Sequence, residues 1–316
     1  MLTGTKPVRR AQIIGVASGL GAPDTRCAAG PRELLDGGLV ERLRARGVDA
    51  SWRVLLHPRH HRGGTRYRAI ADLCRRTARE VGAVLDEREF VVVLGGDHTC
   101  AIGTWSGAAQ RLARHRALGL VWIDAHMDSH TPATSYSGMP HGMPLAALLG
   151  CGGSRRLAAQ VASILTEGQI SPAHTALVGI RSFQPEEAQL LTRLGVKCFG
   201  MEDIHARGID AILNEAVTLA RQASAGYGLS IDLDAIDPRD APGVGTPEPD
   251  GIASRDLANA LARCMGDPHL IGLEIVEYNP FRDVEQRTVA VIEDLLAAVL
   301  GARASENRIR TVEWGM

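Results

Sequence analysis

Short, continuously apolar and often β-branched runs alternate along this chain with longer amphipathic stretches, and this alternation most constrains the fold. Ala11 to Val16, Phe90 to Leu94, Leu118 to Ile123, Thr175 to Ile180, Val196 to Phe199, Gly228 to Leu233 and Leu270 to Val276 read as strands. A strand with one wet face alternates apolar with polar residues. These runs are apolar throughout, so the sheet they form is covered on both faces. Helices fill most of the gaps: Pro31 to Arg46, with proline in its first turn, Arg66 to Leu85, Cys100 to Arg114 and Val284 to Leu300. The simplest architecture is a three-layer α/β/α domain around a mostly parallel sheet. No internal repeat or low-complexity linker divides the chain, and Gly150-Cys151-Gly152-Gly153 fits a loop, so residues 1–316 are expected to form one domain.

Composition excludes several classes of function. The formal net charge of -1 gives no global attraction to nucleic acid or to an anionic membrane. The pairs Arg75-Arg76 and Arg155-Arg156 read as solvated helix faces. No run approaches the roughly 18 apolar residues of a membrane span. The basic N-terminus lacks the apolar stretch of a secretory signal. The six cysteines include no C-x-x-C pair and read as free thiols of a cytoplasmic protein. No G-x-G-x-x-G follows a strand, so no nucleotide cofactor is indicated.

In parallel sheets, ligands bind beyond the carboxyl ends of the strands. Four of those ends carry an unusual set of residues: Gly95-Gly96-Asp97-His98, Asp124-Ala125-His126-Met127-Asp128, Ser230-Ile231-Asp232-Leu233-Asp234, and Glu277 after Val276. Each alone has an ordinary explanation, Asp97 as a helix N-cap and a loop histidine as a solvated side chain. Together they do not. An extended backbone throws alternate side chains to one side, so Asp124, His126 and Asp128 project together, as do Asp232 and Asp234. Carboxylates gathered this way repel unless cations lie among them. Carboxylate oxygens with some imidazole suit manganese, cobalt, nickel or zinc. The charges balance for two metals: four aspartates are neutralised by two divalent cations, with His98 and His126 neutral. A hydroxide between the metals leaves the centre slightly negative, which favours a cationic substrate. Two such ions, about 3.5–4 Å apart, lower the pKa of a shared water toward neutrality.

These blocks resemble the signatures of the ureohydrolases, the family of arginases, agmatinases, guanidinobutyrases and formimidoylglutamases. The likeness covers most of the chain. It includes Ile13-Ile14-Gly15-Val16 with Gly30-Pro31, the segment Gly243-Val244-Gly245-Thr246-Pro247, and Glu274-Ile275-Val276-Glu277-Tyr278-Asn279-Pro280. The resemblance implies that His98, Asp124, Asp128 and Asp232 hold one metal and that Asp124, His126, Asp232 and Asp234 hold the other, with Asp124 and Asp232 bridging. It favours manganese, with nickel or cobalt as alternatives. His141, in the loop Ser137-Gly138-Met139-Pro140-His141-Gly142, resembles the family's proton shuttle, a role suited to a group that titrates near neutrality. Glu277 would pair with the substrate guanidinium, and Asp128 would stabilise the intermediate and relay a proton. Thr246 would line the pocket. Homotrimers or homohexamers are implied, with Arg308 to Trp314 at such an interface.

The loop from Thr131 to Pro144 looks closer to arginases than to agmatinases, with Ser137 placed to donate to an α-carboxylate. Two positions depart from the arginase pattern. His130 replaces an asparagine but can still donate a hydrogen bond to the substrate carboxylate, and Arg181-Ser182-Phe183-Gln184-Pro185 replaces a segment with aspartates, leaving neutral Gln184 near the expected α-amino group. The expected reaction is hydrolysis of arginine to ornithine and urea. Guanidinobutyrate, agmatine or another small guanidine, and formimidoylglutamate, are the alternative substrates. A one-zinc deacetylase-like hydrolase and a non-enzymatic binding homologue are the competing classes.

Overall fold

The strands are β1 (Ala11–Val16), β2 (Ala50–Leu56), β3 (Phe90–Gly95), β4 (Leu118–Ile123), β5 (Ile170–Ile180), β6 (Lys197–Gly200), β7 (Tyr227–Asp232) and β8 (Leu270–Val276). They pair in the order β2-β1-β3-β8-β7-β4-β5-β6, and every pairing is parallel. This computed structural model describes residues 10–59, 65–112, 116–151 and 170–301.

Every residue of β1, β3, β4, β7 and β8 is buried, as their continuous apolar sequences require. One face packs against α1 (Gly30–Asp36), α2 (Leu39–Ala45), α8 (Ile209–Ala220), α9 (Ser254–Leu261) and α10 (Arg287–Leu300), through residues such as Leu43, Ile212, Leu257 and Leu295. The other packs against α3 (Arg66–Asp86), α4 (Cys100–Leu112) and α6 (Pro185–Leu194), through Leu73, Trp105 and Leu191. The short helices α5 (Pro144–Leu148) and α7 (Met201–Arg207) complete the two outer layers. The contact between layers is close at Gly228 on β7, where an added Cβ would lie 1.9 Å from the Trp105 ring.

Several sequence expectations need correction. The helix expected over Pro31 to Arg46 breaks into α1 and α2, because Gly38 takes a left-handed φ of 77°. The last helix begins at Arg287, after Glu285 and Gln286 turn the chain with positive φ. Strand β2 was not expected. Its interior, Ser51-Trp52-Arg53-Val54-Leu55, is half-buried at the sheet edge and lacks a continuous apolar signature. Strand β5 starts earlier than expected, at Ile170, with a register shift against β4. Arg114, Gly152-Gly153, Arg155-Arg156 and the Arg308 to Trp314 segment lie outside the described residues. Among the described residues, no helix is long and apolar enough to cross a membrane.

The strand order positions the site. Strands β3 and β4 are consecutive in sequence but separated in the sheet by β8 and β7. The four strands that deliver acidic and imidazole groups are therefore neighbours, and their carboxyl ends share one edge. This is the crevice where parallel α/β folds place ligands.

Candidate metal centre

Asp124 is the hub. It begins the loop after β4, is fully buried, and has two differently engaged carboxylate oxygens. Its Oδ2 accepts Trp122 Nε1–H at 2.8 Å and lies 3.3 Å from His98 Nδ1. Its Oδ1 accepts the His126 backbone N–H at 2.7 Å and lies 3.5 Å from His126 Nδ1. Around the first oxygen gather His98 and Asp128; around the second, His126 and Asp234. In each group the candidate ligand atoms lie within 4.8 Å of one another. Asp232 Oδ2 joins the first group, 3.2 Å from His98 Nδ1, while its Oδ1 accepts the Asp234 backbone N–H at 2.9 Å.

The tautomer of His98 follows from its surroundings. Ser230 Oγ donates to Glu274 Oε2 at 2.8 Å, so the same oxygen accepts from His98 Nε2–H at 3.1 Å. Glu274 is itself fixed by Thr104 Oγ1 at 2.6 Å and Trp105 Nε1 at 3.1 Å. The imidazole stacks on Trp122, with centroids 4.1 Å apart. With the proton on Nε2, the Nδ1 lone pair faces Asp124, Asp128 and Asp232 at 3.1–3.3 Å, and this buried nitrogen has no hydrogen-bond partner. A lone pair aimed at three carboxylates is repulsive unless a cation sits between them. The donor set therefore fits a divalent ion, and the imidazole has the backing partner usual for a metal-bound histidine.

The titration behaviour of the carboxylates and imidazoles agrees. If protons were the only cations available, burial and then repulsion from Asp124 would push Asp128 up to about 7. Burial, then Asp234 and Asp124, would push Asp232 well above the carboxylate range. Burial pulls His98 and His126 down, but the surrounding aspartates outweigh it and raise both.

A cleft of about 200 Å³ opens above this edge, lined among others by His126, Asp128, Asp232, Asp234, His141 and Thr246. His98, Asp124 and Glu277 are buried at the same edge. Glu277 has a left-handed φ of 67°. Its Oε1 accepts the His98 backbone N–H at 3.0 Å and lies 3.5 Å from His141 Nδ1. Asp128, with φ of 45°, is the second site residue in this sparsely allowed region, where strain is characteristic of functional positions. Burial lowers the pKa of His141, but Glu277, Asp128 and Asp97 more than offset it and hold the group at about 9. Thr246 Oγ1 donates to Asp234 Oδ2 at 3.1 Å.

The outer residues interact mainly with one another. His130 Nε2 lies 2.6 Å from Gln184 Oε1, and its Nδ1 lies 3.1 Å from Thr134 Oγ1. Both ring nitrogens are thus engaged, and His130 and Gln184 both line the cleft. Glu187 accepts the Ser129 and Gln184 backbone N–H groups, which fixes this rim. Ser137 lines the cleft, and its Oγ also accepts the Met139 backbone N–H at 3.2 Å. Asp97 accepts Thr99 N–H at 3.0 Å just before α4, in the manner of the expected N-cap, and also pins Gly21 N–H at 3.0 Å.

Sequence reasoning passed over the supporting groups. Trp122 and Ser230 each lie two residues before a site aspartate, on the same face of the pleat. Glu274 is the only charge within the apolar run of β8, and a buried charge in such a run needs partners. Those signals were present. Glu248 and Arg181, whose contacts depend on loop conformation, gave none.

A parallel α/β sheet whose carboxyl edge carries two imidazole–carboxylate clusters sharing one aspartate defines a metal-dependent hydrolase. Residues 9–301 match the model of the Arginase family, and the chain belongs to that family of ureohydrolases. It is 34% identical over 306 residues to an arginase of Bacillus caldovelox, covering 94% of this chain and 99% of that protein. The crystal structure of arginase from Bacillus subtilis superposes with a TM-score of 0.84 at 31% identity, covering 94% of this chain and 99% of that one. The arginase of Entamoeba histolytica in complex with L-ornithine superposes with a TM-score of 0.81 at 26% identity, covering 93% and 98%.

Proposed function

We propose that this chain, as a single domain over residues 1–316, hydrolyses L-arginine to L-ornithine and urea with two divalent cations. One ion would be held by His98, Asp124, Asp128 and Asp232, and the other by Asp124, His126, Asp232 and Asp234. The observation that carries this reading is the His98 Nδ1 lone pair aimed at three carboxylates, beside an Asp124 whose other oxygen faces a second imidazole. Two bound divalent ions supply Lewis acidity and lower the pKa of the attacking water.

The chain's own groups do the rest. The buried Glu277 carboxylate attracts the guanidinium and orients its carbon. Asp128 lines the cleft and takes a proton from the attacking water. Collapse of the intermediate breaks the C–N bond, and the leaving nitrogen takes a proton from Asp128 or from His141. The balance closes as guanidinium plus water giving ammonium plus urea. His141, beside Glu277, is placed to restore the proton inventory. Ser137 and the Gln184 amide bind the substrate's far end, with His130 positioning Gln184 and Thr246 buttressing Asp234.

Arginine as substrate is supported by curated and structural relatives that are arginases over nearly their full lengths, one of them in complex with L-ornithine. Manganese is the preferred metal in this reading, with nickel or cobalt as substitutes. The protein is read as cytoplasmic and as a homotrimer or homohexamer. Six free cysteines support a reducing compartment. Assays of urea release from arginine, agmatine and 4-guanidinobutyrate, and of formamide release from formimidoylglutamate, test the substrate. Highest kcat/KM on arginine is expected; a higher value on any of the others overturns that choice.

A further inference from the structure

The two imidazoles are supported very differently. The His98 side chain is 1% exposed, stacked on Trp122 and tied through Ser230 to Glu274. The His126 side chain is 27% exposed, and its Nδ1 faces Asp234 Oδ2 at 3.1 Å and Asp124 Oδ1 at 3.5 Å. Its other nitrogen, Nε2, faces one carboxylate, Glu248 Oε1, at 3.4 Å.

We propose that Glu248 is the positioning residue of the outer metal site, holding the His126 ring in the Nε2–H tautomer so that Nδ1 presents its lone pair to the ion. The proposal rests on the reading of Asp124, His126 and Asp234 as ligands. A carboxylate behind a ligating imidazole fixes ring orientation and raises ligand basicity. Glu248 meets the ring nitrogen opposite the one that faces Asp124 and Asp234, the place of a partner behind a ligand.

The loop that carries it is anchored for this role. The Arg181 guanidinium, at the end of β5, donates to Glu248 O at 2.8 Å, Pro249 O at 2.8 Å, Asp234 O at 2.6 Å and Ala235 O at 3.2 Å. One half-buried guanidinium thus ties the backbone of the positioning carboxylate to that of a candidate ligand. Glu248 reaches His126 from a frame that moves with Asp234.

The test uses the full-length protein equilibrated against chelator-buffered Mn2+ of graded activity, with bound manganese counted per chain and the coupled Mn2+ pair followed by electron paramagnetic resonance. The parent should bind two ions. In Glu248→Ala one of the two should require about 10- to 100-fold more free Mn2+, the range for loss of such a partner, while the other is unchanged. At saturating Mn2+, kcat should recover with KM unchanged. Glu248→Gln, which keeps an acceptor oxygen, should stay within a few-fold of the parent. An Ala variant that holds both ions as the parent does overturns the proposal, and so does one that weakens both sites equally or raises KM at full metal content. A parent that never binds two ions overturns the dinuclear reading itself, a result distinct from failure in the variant alone.

Discussion

Replacing Ser230 by alanine removes one oxygen atom from the interior and should loosen one metal. In the folded protein Ser230 Oγ accepts from His98 Nε2–H at 3.1 Å and donates to Glu274 Oε2 at 2.8 Å. Without it, Nε2–H has no acceptor in a fully buried position, a cost on the order of 1–3 kcal/mol. The imidazole can escape by moving its proton to Nδ1, among the three carboxylates, but there it competes directly with the cation. Either way the ion at the inner site loses about 1–3 kcal/mol, or roughly 5- to 150-fold in affinity. Glu274 retains Thr104 and Trp105, so the fold should survive. The assay is Mn2+ competition with a fluorescent chelator, alongside circular dichroism to confirm folding. A folded variant with an unshifted titration would refute the argument that Ser230 sets the His98 tautomer.

Four further outcomes follow from the same geometry. Asp128→Asn should cut kcat by about 100-fold or more, the usual worth of a positioned acid–base group, and turnover within a few-fold of the parent would contradict its role. His141→Asn should cost less, because water or buffer can relay protons, but should alter the pH–rate profile; an identical profile counts against the shuttle. Gly228→Ala should destabilise by about 1–3 kcal/mol through overpacking, since its Cβ would fall 1.9 Å from buried Trp105, and an unchanged denaturation midpoint would be the contrary result. Metal and pH should couple with a definite sign. Asp128 is pushed up to about 7, so the chelator-treated fold is favoured by protonation and loses that support as pH rises toward 7, where a cation must replace the proton. The gain in melting temperature on adding Mn2+ should therefore grow as pH rises from about 5.5 to about 8; a gain that stays constant or shrinks goes against it.

Much of this was legible in the chain. Apolar runs marked six of the eight strands to within a residue at each end, most plainly the five buried throughout, because strands buried on both faces can be read without tertiary information. Edge strand β2 could not, since its half-buried interior mixes Ser51, Trp52 and Arg53. Gly37-Gly38 marked the break between α1 and α2, but the apolar period continued through it and concealed it. At the site, the alternation in Asp124, His126 and Asp128 placed side chains on one face, and the order of β3, β8, β7 and β4 placed those faces together. What the pattern could not supply was pairing between distant loops. His130, expected to reach the substrate, lines the cleft and also engages Gln184, because the N-terminal turn of α6 brings that amide to 2.6 Å. Glu248 and Arg181 meet their partners through loop geometry that no local period encodes.

The central claim is a pair of cations bridged by Asp124, and anomalous scattering from crystals grown with Mn2+ addresses it directly. Two peaks are predicted, one enclosed by His98, Asp124, Asp128 and Asp232, and the other by Asp124, His126, Asp232 and Asp234. A single peak, or two peaks with Asp124 bound to only one of them, would contradict the account.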